Sequence, residues 1–311
     1  MTAIIDVVLP IFAIILAGYL AGWRGLLGTD SSGGLNAYVY YIALPAMLFL
    51  ALASVDPAEL LDIAFLVVFF VPALAVAVAS GFFARLLGHR RAAVWSLAGL
   101  AGAFANSGYM GIPLFVSAFG PEGTAPAALV TLVYGLVGVT LGVVMIEADV
   151  KSDVPSGARM RAIAAAIATN PMIMAPVLGL AVAVIGVPVI GPVHRFLDLL
   201  GQSAGPCALF ALGLFLVKTR IGDGMVEVGV LSALKLVAQP LLTWWFAAAF
   251  FDLPPDRVSA AILLAALPSA ATVFVLAERY GIYGQVASGT ILVTTLLSLL
   301  TLSALVAVLP L

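Results

Sequence analysis

Ten times along this chain, about twenty consecutive residues pass with hardly a charge among them. Wound as a helix, a run of that length crosses the roughly 30 Å hydrocarbon layer of a bilayer. It also satisfies its own backbone polar groups on the way. The runs are 3–22, 35–54, 62–84, 92–119, 124–146, 168–189, 194–217, 227–251, 258–280 and 285–309. Of the 311 residues 64% are hydrophobic and 9% charged, whereas soluble domains average about 25% charged. Such a chain cannot clothe a water-facing surface. The fold class is an all-α polytopic membrane protein with ten transmembrane helices. The first run has Asp6 where a secretory leader would carry Lys or Arg, so it reads as a span.

The basic residues orient these spans. Arg24, Arg85, Arg90, Arg91, Lys151, Arg159, Arg161, Lys218, Arg220 and Arg279 all follow odd-numbered spans. Arg195 and Arg257 alone fall on the other side, and Lys235 lies within span 8. Cytoplasmic loops attract Lys and Arg, so both termini face the periplasm or the exterior of a cell (inner or plasma) membrane. The stretch 157–169 reads as an amphipathic helix lying on the cytoplasmic face or as a long start to span 6, the first being favoured because Asn170-Pro171 breaks the run.

The chain also repeats itself. Ala43-Leu-Pro45-Ala-Met-Leu48-Phe49 returns as Ala204-Gly-Pro206-Cys-Ala-Leu209-Phe210, at an offset of 161. The same offset lays Pro10 on Pro171 and Gly18 on Gly179, and Leu129-Val130-Thr131 returns two residues further on as Leu292-Val293-Thr294. Five spans per half is an odd number, so the halves are inverted relative to each other. The domains read as a first five-helix repeat, 1–150, a cytoplasmic linker, 151–159, and a second inverted repeat, 160–311.

Spans 4 and 9 carry the polar interruptions. Span 4 holds Asn106, Ser107, Gly108, Gly111 and Pro113, and span 9 holds Pro268, Ser269 and Thr272. Proline removes a backbone donor and glycine tolerates unwound chain. Non-helical backbone at membrane depth persists only where protein or a water-filled cavity satisfies it. A matched pair of broken spans marks a transporter site. Each half-helix start offers N–H groups and a partial charge near +0.5, a seat for a carboxylate. Asn106, Ser107, Ser269 and Thr272 add directed hydrogen bonds; small residues that only pack helices closely are the plainer alternative.

Pro45 and Pro206 sit mid-span in spans 2 and 7 and should kink them, either to line the substrate cavity or only to improve packing. Gln202, one turn before Pro206, is a further candidate for the cavity wall. Ionisable residues in spans are candidates for coupling or charge by default: Asp6, Asp62, Asp198 and Lys235, with Gln239 one turn beyond the last. Lys235 either snorkels to the interface or serves substrate or coupling. Cys207 reads as a small packed hydrophobe. His89 and His194 fall at span ends and offer no metal site.

At these residues the chain resembles the auxin efflux carrier (AEC) family, over essentially its whole length. The resemblance rests on Leu9-Pro10-Ile11-Phe12 through Gly18-Tyr19, Ala43-Leu44-Pro45, Asn106 through Leu114, Gly205 through Gly213, and Leu267-Pro268 through Gly281. It implies a 5+5 inverted repeat like that of bile acid–sodium symporters, with helices 4 and 9 as broken crossovers. Helices 1, 2, 6 and 7 would form a scaffold, and helices 3–5 with 8–10 a transport domain. Family substrates are organic anions, indole-3-acetate or acids such as malate and malonate. The short central loop fits a carrier of the prokaryotic type.

The expected function is therefore secondary transport or facilitated passage of a small mono- or dicarboxylate by elevator-type alternating access. The alternative is a channel or sensor on the same fold. An intramembrane enzyme is disfavoured, because the spans hold no paired aspartates, HExxH or nucleophile with a base. No cofactor, metal or nucleic-acid partner is expected. The partners are the organic anion and membrane lipid, and a homodimer is compatible. Proton symport, sodium coupling and uniport all fit, sodium less well because neither broken segment contains a carboxylate.

Overall fold

The fold is given by a computed structural model, which describes residues 9–27, 29–53, 63–120, 124–150, 157–158, 161, 165, 168–218 and 224–309. Asp6, Asp62 and most of the linker and of the stretch 157–169 lie outside the described residues.

In chain order the helices are α1 (Leu9–Trp23), α2 (Thr29–Tyr38), α3 (Leu44–Ala53), α4 (Ile63–Leu86) and α5 (Ala92–Ala103). Next come α6 (Ile112–Phe119), α7 (Thr124–Val133), α8 (Thr140–Val150), α9 (Pro171–Ile185) and α10 (Gly191–Lys218). The last five are α11 (Met225–Ala233), α12 (Gln239–Phe250), α13 (Pro255–Ala265), α14 (Thr272–Tyr280) and α15 (Gly284–Val308). Among the described residues there is no strand, only one antiparallel bridge between Ala105 and Ser269. Five helical segments are long and apolar enough to cross a membrane: Gly33–Ala53, Ile63–Leu86, Gly191–Val217, Met225–Phe250 and Gly284–Val308. The shorter apolar helices are Leu9–Trp23, Ala92–Ala103, Ser107–Phe119 and Ile173–Ile185.

Three prolines share one local solution. Widened π-type turns at Val39–Ala43, Ser107–Gly111 and Leu234–Ala238 lead into helices whose second residues are Pro45, Pro113 and Pro240. A proline ring clashes with the carbonyl four residues back and cannot donate to it. An i→i+5 turn moves that carbonyl out of the way. Pro206 behaves differently: it sits inside the unbroken α10.

Internal contacts divide the chain into two units. The first comprises 1–62, 107–136 and 160–218; the second comprises 63–106, 137–159 and 219–311. In the first unit α1 packs on α10 and α3 on α9. Gly18 lies directly against the main-chain carbonyl of Phe210, and Gly179 lies in the same way against that of Phe49. The second contact is the first with both positions exchanged through the offset of 161. Tyr38 and Ser203 are hydrogen-bonded through their hydroxyls at 2.7 Å, and the Tyr40 hydroxyl donates to Asn170 Oδ1 at 3.0 Å.

In the second unit α5 packs against α4 and α8, and α11 against α15. Close approach again falls at glycines: a Cβ at Gly81 would stand 2.9 Å from the Trp95 carbonyl oxygen, and one at Gly99 2.9 Å from that of Ala77. Polar clasps tie the chain ends of this unit together. Arg91 Nε pairs with Asp149 at 2.9 Å, and the same carboxylate accepts the Ala92 N–H at the start of α5. The Tyr280 hydroxyl donates to Glu147 at 2.9 Å. Glu227 is buried near the start of α11, with one oxygen 3.2 Å from His89 Nε2 and the other accepting the Tyr283 hydroxyl.

Candidate functional site

The two interrupted segments meet within the second unit. Helix α5 ends at Ala103 and the chain runs extended from Phe104, whose φ and ψ are −76° and 105°. Helix α13 ends at Ala265, and α14 begins only at Thr272. Between these ends the Asn106 N–H donates to the Pro268 carbonyl at 2.8 Å, and the Ala270 N–H to the Phe104 carbonyl at 2.9 Å. The Ser269 N–H between them donates to Thr294 Oγ1 of α15 at 3.1 Å, and that hydroxyl donates onward to the Thr290 carbonyl. The unwound backbone thus finds the internal partners that a non-aqueous setting demands. Pro268 suits its place because it contributes only a carbonyl there.

Two side-chain groups at this crossing are left over. Asn106 is 4% exposed and Ser269 0%. Neither Asn106 Nδ2 nor Ser269 Oγ has a hydrogen-bond partner. A buried polar group without a partner costs on the order of 1–3 kcal/mol, so these two are an amide donor and a hydroxyl whose hydrogen-bonding capacity is unspent. The start of α14 is less open than expected. The N–H groups of Val273 and Phe274 already donate to Ala270 and Ala271 at 3.1 Å, and Val275 to Ala271 at 3.3 Å. Thr272, expected in the site, is exposed.

The residues that follow Asn106 belong to the first unit. Ser107 is buried, and its hydroxyl is hydrogen-bonded to Thr131 Oγ1 at 2.8 Å. Gly111 is buried, while Gly108 and Pro113 are half-buried. A Cβ on Gly205 would lie 3.1 Å from Pro113 Cγ, so α10 passes close to the Pro113 ring one residue before Pro206. Pro45 is buried within α3, whereas Pro206 is exposed. Gln202 is exposed and donates to Asp198 at 2.8 Å. These two spend their polar groups on each other one helical turn apart.

Lys235 does not snorkel: it is 0% exposed, and its Nζ donates to the Ala265 carbonyl at 2.6 Å, at the end of α13. Gln239 is also buried, one turn along. The residues not anticipated from sequence are Thr131 and Thr294. Their signal was present, since Leu129-Val130-Thr131 and Leu292-Val293-Thr294 are a repeated triplet. Each threonine hydrogen-bonds one of the two breaks. Among the described residues no group of His, Cys, Asp or Glu could hold a metal ion.

Apolar helices interrupted and paired at buried polar breaks suit a membrane transporter, and relatives agree. The chain belongs to the family described as "Membrane transport protein", whose model matches residues 3–306 and corresponds to the auxin efflux carriers. A protein named "Putative malonate transporter" from Rhizobium meliloti (strain 1021) is 35% identical over 306 residues, 98% of this chain and 95% of that protein. An "Uncharacterized transporter" of Methanothermobacter thermautotrophicus is 29% identical over 303 residues, 96% of this chain and 95% of its own length. "Probable auxin efflux carrier component 5c" of Oryza sativa subsp. japonica is 33% identical over 163 residues, 50% of this chain and 43% of that protein.

Proposed function

We propose that this transporter carries a small mono- or dicarboxylate by elevator-type alternating access, with the anion held at the crossing of the two broken spans. The observation that carries the reading is the pair of buried, unpartnered groups at that crossing, Asn106 Nδ2 and Ser269 Oγ. An amide N–H and a hydroxyl donate to carboxylate oxygens, and hydrogen bonds to charged groups contribute about 1.5–3 kcal/mol each. The relative named for malonate transport, alike over 98% of this chain, supports the substrate class.

The wider architecture follows as part of the same proposal. Ten spans form two inverted repeats of five, a plan supported by the exchanged contacts of Gly18 with Phe210 and Gly179 with Phe49. Spans 1, 2, 6 and 7 act as scaffold and spans 3–5 with 8–10 as the moving part; the grouping of spans 1, 2, 6 and 7 in one unit and of spans 3, 8, 9 and 10 in the other supports this, while spans 4 and 5 are each divided between the two. The chain lies in the inner or plasma membrane with both termini outside, as its basic loops suggest.

Uptake of labelled malonate, acetate, lactate, malate and indole-3-acetate into proteoliposomes tests the reading. Saturable uptake of at least one acid, competed by unlabelled acid, is expected. If none of the panel moves or competes, the substrate class is wrong. Currents far above carrier turnover would replace the carrier with a channel.

A further inference from the structure

Two buried ionisable side chains of the second unit are treated in opposite ways. Glu227, 3% exposed, has both carboxylate oxygens engaged, by His89 and Tyr283. Lys235 has no carboxylate within ion-pair distance among the described residues. Its one recorded partner is the carbonyl of Ala265, the last residue of α13.

That position matters because α13 ends at the break. Carbonyls at a helix C-terminus carry a partial charge of about −0.5, which offsets part of an ammonium charge. It does not offset all of it, because removing an ion from water costs several kcal/mol. Ser269, with its unpartnered hydroxyl, is four residues beyond Ala265, and Asn106 is bonded to Pro268 beside it. A carboxylate bound there would bring the missing negative charge to the same end of α13.

We propose that Lys235 is the proton-binding group of this carrier: its amine takes a proton from water onto Nζ when the anion binds, and returns it when the anion leaves. This rests on the carboxylate reading above. As a neutral amine Nζ already donates to Ala265; protonation gives it a further N–H. Ser232, one turn before Lys235 on the same helical segment, is buried and has an unpartnered hydroxyl oxygen.

The surroundings leave Lys235 little competition. The segments packed on its turn are α4, α5, α11, α12 and α15, and it bonds to α13. Their ionisable residues are Arg85, Glu227, Asp256 and Arg257, with none in α5, α12 or α15. Arg85 lies over the Trp95 ring in the last turn of α4, and Glu227 is held by its own pair. Asp256 and Arg257 are in the first turn of α13, roughly 12 Å from Ala265 along the helix. The crossing itself contributes only amide and hydroxyl groups. Occupied by a monocarboxylate, the second unit would carry one anion and one ammonium together; with a dicarboxylate such as malonate the ammonium would offset one of its two charges.

Linkage is reciprocal, so anion binding must draw in protons if protons favour anion binding. The test is calorimetric titration of malonate into the purified protein, in two buffers of different ionisation heat, at about pH 8, where carboxylic acids are fully ionised. Wild type should take up a substantial fraction of a proton per malonate bound. Lys235→Arg, which stays charged, should bind malonate with no proton uptake. Lys235→Met should bind about ten-fold or more weaker, also without uptake. Malonate binding by wild type with no uptake overturns the proposal, as does the same uptake in Lys235→Arg. If Lys235→Met does not fold, the arginine variant decides. If neither malonate nor any other acid of the panel binds, the carboxylate reading fails and this one with it.

Discussion

Asn106 is bound to Pro268 through the main chain, N–H to carbonyl, at 2.8 Å. The partner is a residue that has no N–H of its own to give. The bond uses the backbone of Asn106 and leaves the side-chain amide without a partner. The fold and the proposed recognition therefore fall to two different ends of one residue, and they can be perturbed separately.

Asn106→Ala should weaken carboxylate binding by about ten-fold, the loss of one hydrogen bond to a charged acceptor. The melting temperature of the unliganded protein should hold or rise slightly, because the deleted amide makes no bond there. Binding titrations and thermal melts of one preparation check both halves. A variant that melts early while still binding normally would reverse the assignment.

Thr294→Val should behave in the opposite way. It removes the acceptor of the Ser269 N–H inside the crossing and strands a buried donor, at a cost of about 1–3 kcal/mol. Thr294→Ser should restore most of the stability. Melting temperatures in detergent decide this, and equal stability of the valine variant and wild type would show that the bond is unimportant.

Gly18→Ala and Gly179→Ala should each destabilise the first unit by about 1–3 kcal/mol, the usual cost of forced overpacking. The added methyl would meet a main-chain carbonyl, which has no rotamer with which to escape. Gly33→Ala, where a Cβ meets nothing within 4 Å, is the control. Comparable expression and melting of all three variants would contradict the close approach.

The Tyr283 hydroxyl is held protonated by burial first and by the Glu227 carboxylate second, so it ionises above its usual 10.0. A folded value above the unfolded one gives stability that is intact below pH 10.0 and is lost as pH rises through the folded value. Thermal melts from neutral to strongly alkaline pH should therefore fall beyond that point. Tyr283→Phe should be less stable at neutral pH and should fall less steeply in alkali. A parallel profile in the variant would assign the alkaline loss to other groups.

The sequence made the apolar runs legible because membrane burial acts on whole segments, and it made the breaks legible because Asn106-Ser107-Gly108 and Pro268-Ser269 violate an otherwise apolar rule. It did not reveal how those breaks are satisfied. Main-chain pairing of Phe104–Asn106 with Pro268–Ala270 is independent of side-chain type, so no residue pattern announces it. Gln202 looked like a wall residue and Asp198 like a coupling or charge candidate, but i and i+4 positions on one helix face can serve each other. Glu227, His89 and Tyr283 share no spacing at all. Only the tertiary fold brings them together.

The exchanged contacts of Gly18 with Phe210 and Gly179 with Phe49 have a consequence for biosynthesis. Gly18 enters the membrane 192 residues before Phe210 is made. Until then α1 lacks α10, the helix it packs against most extensively. The first unit thus joins stretches that are far apart in the order of synthesis, 1–62, 107–136 and 160–218. Helix α1 packs on α10, so the ribosome must deliver about two thirds of the chain before this pair can form.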